Sequence, residues 1–74
     1  MRIKVRLDTL SDIKRFVDAA NNVIGAEVYL TDGNNFTVSA KSILGATYTM
    51  EWNEVYCTCS KDIYNIIREF VAEA

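Results

Sequence analysis

The segment AEVYLTDGNNFTVSAKSILGA, residues 26–46, decides the fold. Ala26, Val28 and Leu30 alternate with polar neighbours, as do Phe36, Val38 and Ala40. Such alternation puts one side of a strand in a core. TDGNN, residues 31–35, lies between the two runs and is rich in the residues that turns require. The pair therefore reads as a β-hairpin. Ser42 follows directly and is suited to cap a short helix through Ile43 to about Thr47. A serine in that place accepts a hydrogen bond from an otherwise orphaned amide, contributing about 1 kcal/mol.

Outward from this segment the same rules apply. On the N-terminal side, Ile3, Val5 and Leu7 alternate with Arg2, Lys4, Arg6 and Asp8, a half-buried strand. Thr9 and Ser11 are candidate N-caps, and Asp12 completes a capping box with Thr9. Ile13, Phe16, Val17 and Ala20 then mark one face of a helix that Asn21, Asn22 and Gly25 end. On the C-terminal side a loop runs through Met50 and Trp52. Val55, Cys57 and Cys59 form a last strand's inner face. Ser60 is expected to cap a final helix carrying Ile63, Ile66, Ile67, Phe70 and Val71 on one stripe. The order β-α-β-β-α-β-α predicts an α+β domain, with helices on one face of a mainly antiparallel sheet. No repeat or boundary divides residues 1–74, so a single domain is expected.

Composition narrows the function. The net charge of −2 argues against direct nucleic-acid binding, which calls for a basic stripe. No apolar run approaches the ~20 residues of a membrane span. MRIKVRLD at the N-terminus lacks the apolar centre of a signal peptide, so a cytoplasmic location is expected. Cys57 and Cys59 would supply half a metal site at most. With no histidine and no further cysteine, they read as buried thiols, and neither metal nor cofactor is expected. Neither a phosphate-binding glycine loop nor a pair of buried-looking carboxylates is present, so no enzymatic activity is expected.

The element order, with DIKRFVDAA at 12–20, AEVYL at 26–30 and above all AKSILG at 40–45, resembles HPr. HPr is the phosphocarrier family of the bacterial phosphoenolpyruvate-dependent sugar phosphotransferase system. KSILG is similar to the K-S-I-M-G or R-S-V-L-G of that family. The resemblance implies an open-faced β-sandwich. Its four-stranded antiparallel sheet, ordered first, fourth, second, third, would carry three helices on one face.

The family's phosphohistidine lies in an H-A-R-P motif, which falls here on Thr9, Leu10, Ser11 and Asp12. A threonine ester is a poor phosphoryl donor, and the arginine suited to phosphate is gone. Histidine phosphocarrier chemistry is therefore excluded. Catabolite-repression HPr, a branch of the family, also lacks the histidine and keeps the serine. By that resemblance Ser42 is a regulatory phosphorylation site, written by an HPr kinase/phosphorylase-like enzyme and read by a protein such as a transcriptional regulator. Lys41 stands next to it and could compensate the charge. Ile43, Leu44 and Thr47 are the expected docking patch, with Arg15 a further partner-binding candidate. The alternative is a divergent interaction module of the same fold without phosphate chemistry. Trp52 reads as a core plug rather than a partner anchor, and the four tyrosines as packing residues.

Overall fold

The computed structural model of the chain describes residues 1–72. Four strands, β1 (Arg2–Val5), β2 (Val28–Thr31), β3 (Thr37–Ser39) and β4 (Val55–Cys59), form one antiparallel sheet in the order β1-β4-β2-β3. Three helices, α1 (Leu10–Asn21), α2 (Ile43–Thr47) and α3 (Tyr64–Ile67), complete an open-faced sandwich. This is the expected architecture, including the strand order. No helix among the described residues is long and apolar enough to cross a membrane.

Pairing places Ile3, Cys57, Leu30 and Val38 in one row across the sheet. With Val5, Val28, Val55 and Cys59 they form its inner face, on which the helices pack. Helix α1 contributes Ile13, Phe16, Val17 and Ala20, all buried. Its N-terminus carries the full capping box: the Thr9 hydroxyl accepts from the Asp12 amide at 3.1 Å, and the Asp12 carboxylate accepts from the Thr9 amide at 3.2 Å. Thr9, not Ser11, is the cap. Phe16 meets Phe70 edge to face, with ring centroids 5.1 Å apart.

The hairpin turn closes as its residues require. The Asp32 carboxylate accepts from the Asn34 and Phe36 amides at 2.8 and 3.1 Å. Gly33 adopts φ +83°, where a side chain would be strained and would press on Arg2 and Tyr56.

Several expectations fail. The last apolar stripe is not one helix. Four residues of α3 are followed by a 3₁₀ turn over Arg68–Phe70. Ser60 caps nothing; the Tyr64 amide instead donates to the Asp62 carboxylate at 3.1 Å. The chain must leave the helix to run beside β1, where Arg6 N–H donates to the Phe70 carbonyl and Ala72 N–H to the Lys4 carbonyl. Ile66 is consequently left exposed. Strand β1 ends at Val5, although Leu7 is buried beyond it. Phe36 is 60% exposed, because it lies past the helix layer and has only Trp52 to stack on, 6.3 Å away. The tyrosines do not all pack inside: Tyr29, Tyr48 and Tyr64 are exposed, and Tyr56 is half-buried beneath the Arg2 guanidinium.

Candidate functional site

Ser42 lies at the start of α2 in extended backbone, and its Oγ accepts from the Gly45 amide at 3.2 Å. Its own amide donates to the Ser39 carbonyl, and its carbonyl accepts from Ala46 N–H, so the turn from β3 into α2 is tied on both sides. The side chain remains exposed. The cap read from the sequence is present, and its hydroxyl is open to solvent.

Helix α2 has five residues, and Ala46 is the buried one. Gly45 brings the helix close to β3: a Cβ there would stand 3.3 Å from the Ser39 carbonyl oxygen. Thr49, buried below, donates its hydroxyl to the Ala46 carbonyl at 2.8 Å. With the inner side so engaged, a five-residue helix has no room to bury its other faces. Ile43 is 44% and Leu44 70% exposed, side by side with Ser42. Thr47 is half-buried, and its hydroxyl donates to the Leu44 carbonyl rather than outward.

Lys41 does not serve Ser42. Its ammonium donates to the carbonyls of Val23 and Ala26, at 2.9 Å each, and ties down the loop after α1. Asn21 joins the same knot by donating from its amide to the Val17 and Lys41 carbonyls. The chain direction brings the C-terminal end of α1 to the start of α2, and the lysine finds carbonyls there before it finds solvent.

Arg15 is placed apart from this patch. Its guanidinium pairs with Asp12 and Glu69 and stands over the Phe70 ring, so it faces the Arg68–Phe70 turn. Thr9 is the capping residue of α1. The Arg15 guanidinium holds the Asp12 carboxyl below its ordinary pKa against an opposing effect of desolvation, and hydrogen bonds from the Asp8 and Thr9 amides add to the lowering. A lowered native pKa contributes stability that is fully present above the unfolded value and lost as pH falls through the native one. Urea midpoints are therefore expected to fall below the ordinary carboxyl value of 3.8, and Asp12→Asn to flatten that acid limb. An unchanged acid limb in the variant would remove the ion pair from the account.

Cys57 and Cys59 are buried and free. Burial, reinforced by Cys59 and offset in part by the N-terminal ammonium, pushes the Cys57 thiol up to about 12. A thiol so held is a packing group. No cluster of metal-ligating side chains occurs among the described residues.

Trp52 is neither plug nor free anchor. It is half-buried against the core and stacked on Phe36. Beside it Tyr48 and Met50 are exposed. The sequence signal for this second apolar surface is YTMEW, residues 48–52, where Tyr48, Met50 and Trp52 alternate at strand spacing although the chain forms a 3₁₀ turn over Tyr48–Glu51. Compared with known proteins, the chain matches no family model, no curated protein and no solved structure.

Proposed function

We propose that this chain is an HPr-like regulatory protein without phosphocarrier chemistry, which docks to a protein partner through α2 and is switched by phosphorylation of Ser42. The observation that carries the reading is the exposed Ser42 hydroxyl beside the bared Ile43 and Leu44. A phosphate adds about −1.5 to −2 charge and strong acceptor oxygens, enough to change what a neighbouring apolar patch will bind. The sheet order β1-β4-β2-β3 agrees with the one the resemblance implies and supports the reading. An HPr kinase-like enzyme writes the phosphate, and a protein such as a transcriptional regulator reads it. Arg15, held by Asp12 and Glu69, is less suited to a partner than the α2 residues.

The test is an intact mass after incubation with ATP and an HPr kinase. Wild type should gain a single phosphate and Ser42→Ala none. An unmodified wild type beside a phosphorylated control HPr would end the phosphate half of the proposal. What then remains is an interaction module of the same architecture. That second reading is favoured by Lys41, whose ammonium is bound to the Val23 and Ala26 carbonyls and turned away from Ser42.

A further inference from the structure

The two edges of the sheet are treated differently. Beside β1 lie residues 70–72, hydrogen-bonded to it. β3 pairs with β2 on one side and leaves the other open. The Phe36 carbonyl accepts from Asp32 N–H and the Val28 carbonyl from Ala40 N–H, so residues 36, 38 and 40 turn their backbone groups toward β2. The groups of Thr37 and Ser39 therefore point to the free edge. Ser42 N–H takes the Ser39 carbonyl, while the Thr37 N–H and C=O and the Ser39 N–H have no partner among the described residues.

A cleft of about 530 Å³ runs along this edge on the helix side, lined by Phe36, Thr37, Val38, Tyr48, Glu51 and Trp52. An adjoining cleft shares Phe36, Glu51 and Trp52 and adds the carboxylates of Asp32 and Glu54. Glu54 is paired with Lys4, whereas Glu51 has no ion pair among the described residues. The Phe36 and Asn34 amides hold the Asp32 carboxyl below its ordinary pKa, so it stays charged at neutral pH.

We propose that the open edge of β3 and the Phe36–Tyr48–Trp52 cleft bind an extended, basic segment of a protein partner. The segment adds as a strand at Thr37 and Ser39, sets an apolar side chain between Phe36 and Tyr48, and lays a lysine or arginine against Glu51. Unpaired edge groups call for an extended backbone. The acidic rim selects a cationic occupant, and a second copy of this chain would bring the same carboxylates with it. The edge abuts Ser42 through the bond from its N–H to the Ser39 carbonyl, but Ser42 does not line the cleft and the proposal stands or falls without the phosphate reading.

Trp52 is the chain's only tryptophan and lies in the cleft, so its fluorescence reports occupancy directly. The probe is a short capped peptide of alternating lysine and valine. It should shift the emission, and its glutamate–valine counterpart should not. Glu51→Lys should weaken the basic peptide about fivefold and strengthen the acidic one. Thr37→Pro removes the outward N–H at an edge position where proline is tolerated, and should abolish the shift while circular dichroism stays native. If that variant unfolds, a peptide N-methylated on its pairing side serves instead and should fail to bind. No shift at ~1 mM peptide, an equal shift with both peptides, or undiminished binding of the N-methylated peptide would each overturn the proposal.

Discussion

Phe16→Ala is expected to cost about 3–5 kcal/mol, the largest loss of stability from any single substitution considered. Phe16 is fully buried on the inner face of α1. It is also the residue that the last segment of the chain closes on, through its edge-to-face contact with Phe70. Removing the ring deletes buried apolar area and leaves Phe70 and the strap of residues 70–72 beside β1 without their inner support. A domain of 74 residues has roughly 4–11 kcal/mol in total, so the loss takes from about a quarter to all of it. The measurement is a urea titration followed by far-UV circular dichroism. A midpoint within a few tenths molar of wild type would show that α1 and the C-terminal strap do not close a common core.

Ala46→Leu and Leu44→Asp are expected to part stability from binding. Ala46 is the buried residue of α2, with no part of it exposed. Leucine there overpacks the contact with the sheet, at a cost of about 1–3 kcal/mol, and lifts the helix away from β3. Leu44 lies on the opposite, solvated side. Aspartate there should leave stability within about 0.5 kcal/mol and remove whatever docks on α2. Thermal unfolding of both variants, set beside binding to one partner, checks this. Equal destabilisation by both would mean that Leu44 is part of the core and that α2 presents no docking face.

The sequence carried most of the architecture because its alternations are clean. Val28 and Leu30, and Val55, Cys57 and Cys59, point inward as their spacing requires, and the Thr9–Asp12 box is present in full. Failures came where tertiary contacts overrule local pattern. Ile63, Ile66, Ile67 and Phe70 fit a helical stripe, yet backbone pairing of residues 70–72 with β1 ends the helix early and exposes Ile66. Phe36 continues the alternation of β3 but lies beyond the helix layer that would cover it. Lys41 shows the same limit in the candidate site. Adjacency to Ser42 in the chain suited it to a phosphate, while the fold offers its ammonium two carbonyls elsewhere. Ser42 itself was legible because capping is local, and the exposure of Ile43 and Leu44 because so short a helix has one buried side.

The central claim is that Ser42 carries a signal on a surface and is not a cap the fold cannot do without. The most direct measurement compares amide spectra of the unmodified protein and of protein with phosphoserine installed at position 42 by synthesis, which needs no kinase to be identified. A phosphate oxygen can accept the Gly45 amide that the hydroxyl accepts now. The expected result is a set of shifts confined to the β3–α2 connection and to α2, with the resonances of β1, β2 and β4 unmoved. Collapse of dispersion across the sheet would contradict the claim, because Ser42 would then be a structural cap whose modification unfolds the domain.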